Sequence, residues 1–250
     1  MNAQLVSKVR GAAGPLWGPL YGVSLLASDR SSWRFIPAWM RSIRQGHSPV
    51  NDAIPLMPFV ATQWLGAHLS PEMTVFEYGS GGSTLFLAQR VAHVFSVEHD
   101  ATWYEVVSAA LAQRHLTNVT ALLREPQPID ELSSTTAVVP AHEEFITDWE
   151  PGVCLNAYVE TIDDCRDGSL DLVLVDGRAR RDCIARSLGK IRHRGFLMLD
   201  NSNEPAFRDC LEITREYPRT DLRGLGPCWP PRRWRTSVWQ VTSKVDESPN

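Results

Sequence analysis

Residues 74–84 read TVFEYGSGGST, and this stretch organises the rest of the chain. A short apolar, β-favouring run leads to the acidic Glu77, and a glycine-rich turn follows at residues 79–82. Residues 85–88 then begin a helical pattern. Glycines allow the main chain to approach a ligand closely, and the free N–H groups of a helix N-terminus favour polar or anionic atoms. The stretch therefore predicts a nucleotide-binding turn.

The residues that follow alternate between apolar strands and helical patterns. This alternation predicts a parallel sheet with right-handed crossovers, which is a doubly wound α/β fold. The C-terminal end adds two strands separated by a loop rich in Trp, Pro and Arg. The predicted strands are 75–76, 94–97, 119–123, 170–175, 196–199, 220–225 and 236–241, and the predicted helices are 83–92, 101–115, 155–165, 179–191 and 204–216.

Composition changes divide the 250-residue chain into three parts. Residues 1–72 show no strand alternation and hold several tryptophans. Helical segments are predicted near 16–27, 31–45 and 56–69, with breaks at Pro49, Pro55 and Pro58, so we expect an N-terminal helical cap or lid. Residues 73–242 form the predicted cofactor-binding domain. The polar residues 243–250 are expected to be a disordered tail. Within the domain, the irregular segment 124–152 is long enough to be either functional or disordered.

Charge and cysteine content limit the functional class. The formal net charge of −4 does not favour a nucleic-acid partner. The five cysteines are odd in number and form no C-x-x-C pair, which fits a reducing cytoplasm. The apolar run at residues 14–27 is too short and too broken by prolines to span a bilayer. Weak contact of its aromatic residues with a membrane surface remains open.

Polar residues stand at the C-terminal ends of four predicted strands. In a doubly wound sheet these ends meet at one edge, where ligands bind. Glu98 lies about twenty residues beyond Glu77, the spacing of a carboxylate that binds ribose hydroxyls. Thr84 stands where a dinucleotide site would have its third glycine, which argues against a standard dinucleotide fingerprint. The four groups are Glu77 to Gly82, Glu98, Asp176, and Asp200 with Asn201.

Together these residues resemble class I S-adenosylmethionine-dependent methyltransferases. The resemblance covers residues 70–242 and is closest to a group of small bacterial methyltransferases. That group has VDGR after the fourth strand, LDNS after the fifth and a terminal T-S-[IV]-W segment, found here at 175–178, 199–202 and 236–239. The resemblance implies a Rossmann-like sheet of seven mostly parallel strands, with the last strand inserted antiparallel.

The resemblance also implies a cofactor, S-adenosyl-L-methionine, and a set of contacts to it. The turn and Glu77 would lie under its methionine portion, Glu98 would hold the ribose, and His99 would flank the adenosine. The implied activity is methyl transfer, with O-methylation of a small-molecule or glycan-like acceptor as the expected reaction. The predicted cofactor-binding residues are Glu77, Tyr78, Gly79, Ser80, Gly81, Ser83, Thr84, Glu98, His99, Asp176 and Gly177.

A metal ion is a further expectation from the resemblance. Catechol-type O-methyltransferases hold Mg²⁺ with an aspartate after the fourth strand and an Asp-Asn pair after the fifth, and the ion binds the acceptor oxygens. Asp176, Asp200 and Asn201 are the matching residues here. The alternative is that Asp176 contacts cofactor or substrate directly, and that Asp200 and Asn201 cap a helix or shape the pocket. The metal family usually has an aromatic residue where this chain has Gly177 and Arg178.

Several residues are candidates for contact with the acceptor. Asp176 and His142 are the predicted catalytic residues, and His99 is a further candidate base. Arg178, Arg180 and Arg181 could clamp an anionic acceptor group, with Arg178 and Arg181 as the predicted contacts. The alternative for these arginines is a solvated helix face. A second basic and aromatic group could form a sugar-stacking rim or a packed surface loop, and comprises Trp229, Arg232, Arg233, Trp234 and Arg235.

Other functional classes stay open at this point. An NAD(P)-dependent oxidoreductase is the main alternative, and a non-catalytic interaction module with the same fold is another. A nucleic-acid methyltransferase is not expected, because no N/D-P-P-Y tetrapeptide occurs and the net charge is negative. A dimer is compatible with the sequence, which does not define the oligomeric state.

Overall fold

Nine strands and eight α-helices are present in the computed structural model, which describes residues 30–129 and 153–242. The strands are β1 Thr74–Tyr78, β2 His93–Glu98, β3 Val119–Leu123, β4 Gln127–Pro128, β5 Val153–Cys154, β6 Leu170–Val175, β7 Ile191–Leu199, β8 Arg219–Leu225 and β9 Arg233–Gln240. The helices are α1 Ile36–Ser42, α2 Pro49–Asp52, α3 Phe59–His68, α4 Gly82–Ala88, α5 Ala101–Gln113, α6 Asn156–Glu160, α7 Arg180–Ser187 and α8 Arg208–Ile213. Three 3₁₀ segments span Arg30–Phe35, Thr161–Asp164 and Pro205–Phe207.

Seven of the strands form one sheet in the order β3-β2-β1-β6-β7-β9-β8. The pairs among β3, β2, β1, β6 and β7 are parallel, and β9 runs antiparallel to both of its neighbours, β7 and β8. Strands β4 and β5 form a separate antiparallel pair. The predicted fold class, a seven-stranded mostly parallel sheet whose last strand is antiparallel, is confirmed.

The direction of winding reverses between β1 and β6. The chain moves outward from β1 through β2 to β3 on one side, then returns to β6 beside β1 and continues outward through β7. Ligands bind at such a reversal, in the crevice beyond the carboxyl ends of the strands. The turn at residues 79–82 and the residues after β6 lie at this point.

The sheet is covered on both faces, as its side-chain alternation requires. On one face, Phe76 and Tyr78 pack in a buried cluster with residues of α6 and α7. On the other face, Val75 packs with residues of α4 and with Met57, Ala61 and Leu65, of which the last two lie on α3. Glu77 alternates with Phe76 and Tyr78 along β1 and therefore points to the α4 face.

The helices before β1 contribute directly to this core. Met57, Ala61 and Leu65 are fully buried against the sheet, so at least α3 is part of the main hydrophobic core. The predicted boundary at residue 72 stays a prediction. Pro49, expected to break a helix, instead begins α2, with the Ser48 hydroxyl accepting a hydrogen bond from the Asn51 N–H. Proline is favoured at the first helical position because its missing N–H has no helical partner there.

Most predicted elements occur, with differences at their ends. Strand β7 begins at Ile191, five residues before the predicted start at 196. The helices predicted at 155–165 and 204–216 each divide into an α-helix and a 3₁₀ segment. The predicted helix at 16–27, most of the 124–152 segment and the predicted tail lie outside the described residues.

Within the described ranges, the model contains no helix that is both long and apolar enough to cross a membrane. All five cysteines are free thiols in the structure.

The contact between α2 and the start of α4 leads to a test of stability. A Cβ atom at Gly82 would lie 2.1 Å from the carbonyl oxygen of Ile54 and 2.3 Å from that of Pro49. Gly82→Ala must therefore separate α4 from the α2 segment, and we expect it to lower the free energy of unfolding by about 1–3 kcal/mol. Gly189→Ala is the matched control, because a Cβ atom there meets nothing within 4 Å. Urea denaturation of both variants measures the difference, and equal stabilities would contradict the described packing.

Candidate cofactor site

Gly79 and Gly177 bring the ends of β1 and β6 into direct main-chain contact. Gly79 has a φ of +91°, which favours glycine. A Cβ atom on Gly79 would lie 2.7 Å from the Cα of Gly177, and one on Gly177 would lie 2.0 Å from the hydroxyl oxygen of Tyr158. Both positions therefore require glycine, and their contact forms the floor of the crevice at the reversal point.

Glu77 lies beneath the glycine turn and is fully buried. Its Oε2 atom accepts hydrogen bonds from Thr84 Oγ1 at 2.5 Å and from Ser96 Oγ at 2.8 Å. The Gly81 N–H donates in turn to Thr84 Oγ1 at 2.9 Å. Thr84, which stands where a dinucleotide site has a glycine, thus links the turn to Glu77.

Burial controls the charge of Glu77. It raises the pKa of this carboxyl to about 7, although hydrogen bonds from Ser83, Thr84 and Ser96 oppose the shift. The Oε1 atom is buried and has no hydrogen-bond partner among the described residues. A neutral carboxyl is less costly in this position than a carboxylate. Glu77 therefore supports the turn from below, and its burial favours the neutral form of the carboxyl.

Glu98, at the end of β2, has the opposite electrostatic character. Its Oε2 atom accepts hydrogen bonds from the Ser80 N–H and hydroxyl at 2.9 and 3.1 Å, and its Oε1 atom accepts from the N–H groups of His99 and Asp100 at 2.8 and 3.0 Å. Burial acts to raise the pKa of Glu98, but the bonds from His99 and Asp100 outweigh it and leave the pKa below its usual value. The side chain is an ionised acceptor at the edge of the turn.

The glycine turn is also held from the side by α5. The indole N–H of Trp103 donates to the carbonyl oxygen of Ser80 at 2.8 Å. Asp100 caps the helix by accepting from the main-chain N–H of Trp103. Trp103 lies within the helix predicted at 101–115, and nothing in its local sequence pattern indicates this long-range bond.

The His99 ring lies between Glu98 and Arg178. Its Nδ1 atom lies 2.7 Å from Glu98 Oε1, and its Nε2 atom accepts a hydrogen bond from Arg178 Nε at 3.3 Å. Because Nε2 accepts, the proton of a neutral ring belongs on Nδ1, which is close to Glu98 but has no well-aligned hydrogen-bond partner among the described residues. Arg178 thus lies beside His99 at the end of β6, and its contact with an acceptor stays a prediction.

Two buried tyrosines support the floor from the opposite face of the sheet. Tyr78, a predicted cofactor contact, is fully buried and donates from its hydroxyl to the carbonyl oxygen of Val159 at 2.8 Å. Its side chain is therefore part of the core, and its carbonyl oxygen accepts from the Asp176 N–H at 3.0 Å. Tyr158, which the sequence did not single out, lies under Gly177 and edge-on to His99, with ring centroids 5.9 Å apart.

Arg180 occupies the space between the three residues predicted to bind magnesium. Its guanidinium donates to a side-chain oxygen of Asp176 and of Asn201, both at 3.3 Å, and to the main-chain oxygen of Asp200 at 2.6 Å. The residue is buried, with 8% of its surface exposed. A positive group thus already binds one oxygen of each of these three residues, and for Asp200 that oxygen is the main-chain carbonyl.

The Asp200 carboxylate itself points away from Asp176. Both of its oxygens accept from the indole N–H of Trp234, at 3.1 and 3.0 Å, and Oδ1 also accepts from the hydroxyl of Thr236. Burial raises the pKa of Asp200 to about 6, against these hydrogen bonds and the charge of Arg180. The arrangement of these side chains therefore does not support the predicted magnesium site of Asp176, Asp200 and Asn201. Among the described residues, no group of three His, Cys, Asp or Glu side chains is placed to hold a metal ion.

The remaining predicted residues are dispersed. Arg181 is on the exposed side of α7, where it pairs with Asp182. Arg235, assigned to a possible rim, instead donates to Ser202 and Asp221. His142 lies outside the described residues, so its catalytic role stays a prediction.

Comparison with known proteins gives structural matches only. No protein-family model matches the sequence, and no curated protein matches it. A methyltransferase from Geobacter sulfurreducens superposes with a TM-score of 0.50 at 14% identity, over 84% of this chain and 96% of that chain. A SAM-dependent O-methyltransferase from Thermotoga maritima gives 0.50 at 12% identity, over 80% and 73%. A tRNA methyltransferase from Aquifex aeolicus gives 0.46 at 14% identity, over 74% and 69%.

The chain has the class I methyltransferase fold. In this methyltransferase fold, the glycine turn, Glu98, His99 and Gly177 are brought together at the carboxyl ends of β1, β2 and β6, as the sequence predicted. A shared fold at this level of identity defines neither activity nor acceptor.

Glu77 predicts a specific dependence of stability on pH. Above pH 4.5, the folded protein keeps a proton at Glu77 that the unfolded chain, with its ordinary pKa of 4.5, releases. This contribution to stability is therefore fully present below the unfolded pKa and is lost as pH rises toward 7. We therefore compare the unfolding free energy of the wild type with that of Glu77→Gln. The difference, wild type minus variant, should fall by about 3 kcal/mol as pH rises from 4.5 to about 7. Urea denaturation at several pH values measures it, and a flat difference would argue against a raised pKa.

The position of Arg180 predicts that the fold does not need a divalent cation. We expect EDTA and added Mg²⁺ to leave the melting temperature unchanged, because a guanidinium already binds the relevant oxygens. Differential scanning fluorimetry provides the measurement. A magnesium-dependent rise in melting temperature that disappears in Asp176→Asn would restore the metal hypothesis.

Proposed function

We propose that this protein is an S-adenosylmethionine-dependent methyltransferase. The observation that carries the proposal is the main-chain contact of Gly79 with Gly177 at the reversal point, beside the ionised carboxylate of Glu98. A floor without side chains permits close approach of a ligand, and an adjacent carboxylate suits ribose hydroxyls. The class I methyltransferase fold and the name of the Thermotoga maritima neighbour support the same cofactor.

The residues of the site fit this cofactor. In our proposal, the turn at residues 79–82 holds the methionine portion and Glu98 accepts from the ribose, with His99 and Gly177 beside the adenosine. Bound S-adenosylmethionine supplies a methyl group on a cationic sulfur, and carboxylates near such a cation are favourable partners. The Ser80 hydroxyl now donates to Glu98. A carboxylate oxygen can accept more than one hydrogen bond, so Ser80 need not leave when ribose binds.

The chain's own chemistry toward an acceptor centres on Asp176. This carboxylate follows β6, is partly exposed and is oriented by Arg180 at 3.3 Å. In our proposal it receives the proton of an acceptor hydroxyl, while Arg178 attracts an anionic group of the same acceptor. The acceptor is proposed to be a small molecule or a saccharide, methylated on oxygen. His142 remains a second candidate base.

Cofactor binding is the first test. We expect isothermal titration to detect S-adenosylhomocysteine but no NAD binding to the wild type. Glu98→Gln should weaken S-adenosylhomocysteine binding about tenfold or more, because an amide N–H₂ would face the donors of Ser80, His99 and Asp100. Glu212→Gln is the control, since Glu212 is an exposed residue that pairs only with Arg215 among the described residues. Tight NAD binding would favour the oxidoreductase, and binding of neither ligand by a folded protein would favour an interaction module.

Acceptor chemistry is the second test. A screen with labelled cofactor over phenols, sugars, carboxylates and RNA should give transfer to a hydroxyl compound. Asp176→Asn should reduce kcat for that compound about a hundredfold or more while S-adenosylhomocysteine affinity changes little, because the residue acts on the acceptor proton. Transfer to RNA alone, or full activity in Asp176→Asn, would contradict the proposed acceptor class or base.

A further inference from the structure

The five hydrogen-bond donors of Arg180 are all directed at oxygen atoms of two strand ends. Nε donates to Gly177 O at 2.9 Å. Nη1 donates to Asp200 O and Asn201 Oδ1, and Nη2 donates to the main-chain and side-chain oxygens of Asp176 at 3.1 and 3.3 Å. A guanidinium has five N–H groups, so this one has no donor left for an acceptor molecule. Arg180 is therefore not the substrate clamp that its place in the sequence suggests.

The oxygens around Arg180 form a cation site. Three are main-chain carbonyl oxygens, one is a carboxylate oxygen and one is an amide oxygen. Oxygen sets of this kind hold hard cations in proteins. Here the five oxygens lie at the carboxyl ends of β6 and β7. The cation that they surround is the guanidinium of Arg180, which belongs to the same chain.

An aromatic ring also packs against the guanidinium. Its carbon lies 4.5 Å from the ring centroid of Phe207, which is itself buried. Stacking on an aromatic face suits a weakly hydrated, planar cation such as guanidinium and fixes its plane. Lysine offers a compact charge with three donors and cannot reproduce five directed bonds.

We propose that the Arg180 guanidinium is the resident cation of this site and a positioning residue for the cofactor floor and Asp176. It connects Gly177, whose main chain meets Gly79, to Asp176 and to the Asp200–Asn201 turn. The consequence for a methyltransferase, which rests on the proposed function, is that acceptor orientation here is independent of a divalent metal. The structural assignment itself does not depend on which ligand the crevice takes.

Chemical rescue tests this assignment. Arg180→Ala removes the guanidinium and leaves the five oxygens facing a cavity. We expect this variant to melt at a lower temperature than the wild type, because it lacks the charge-assisted hydrogen bonds of the guanidinium. For the same reason, we expect it to bind S-adenosylhomocysteine at least about tenfold more weakly. Millimolar guanidinium chloride, far below denaturing concentrations, should raise its melting temperature and restore affinity. Ethylammonium chloride at the same concentration should do neither.

Two further variants provide the controls. Arg186→Ala removes an arginine from the same helix, α7, whose ion pairs with Glu160 and Asp163 are half-exposed. It should show no guanidinium effect. Arg180→Lys keeps the positive charge but cannot make the five directed hydrogen bonds. We expect it to bind S-adenosylhomocysteine more weakly than the wild type does.

The outcomes separate the two proposals. A folded Arg180→Ala with wild-type affinity, or one that guanidinium leaves unchanged, would overturn the assignment. If Arg180→Lys binds S-adenosylhomocysteine as tightly as the wild type, the assignment is also overturned. This variant is the deciding test if Arg180→Ala does not fold. If the wild type itself binds no S-adenosylhomocysteine, the proposed function fails, whereas a guanidinium-dependent rise in the melting temperature of Arg180→Ala still supports the resident cation.

Discussion

The contact between the main chains of Gly79 and Gly177 is the constraint on which the rest of the site depends. It joins the ends of two neighbouring parallel strands at the point where the winding of the sheet reverses. Neither residue has room for a Cβ atom, so the contact between the two strand ends consists of main chain alone. Tyr158 supports this floor from the opposite side, and Arg180 holds it through the carbonyl oxygen of Gly177.

Two glutamates near this contact show how hydrogen bonds decide the charge of a buried acid. Glu77 and Glu98 are both almost fully buried at the ends of adjacent strands. Glu77 accepts only from hydroxyl groups, and burial raises its pKa. Glu98 also accepts from main-chain N–H groups, which stabilise the carboxylate enough to lower its pKa. One acid therefore supports the turn from below, while the other presents a negative charge to the crevice.

Much of the fold could be predicted because its signals are local. Buried strands appear as apolar runs, glycines mark the turn, and acids at strand ends follow from the direction of parallel strands. The predicted positions of Glu98, His99 and Gly177 agree with the structure for this reason. The division of helices into α and 3₁₀ segments and the early start of β7 at Ile191 were not predictable, because element ends depend on packing against neighbours.

Side-chain direction separates what local sequence determines from what long-range packing decides. The sequence is sufficient to place Asp176, Arg180, Asp200 and Asn201 at one edge of the sheet. It does not determine that the Asp200 carboxylate turns to Trp234 and Thr236, which lie 34 and 36 residues further along the chain. Nor does the sequence determine that the Arg180 guanidinium lies between Asp176, Asp200 and Asn201. The reason is that a carboxylate and a guanidinium each take the partners that bury their charge at least cost, and those partners come from strands that only the folded sheet brings together.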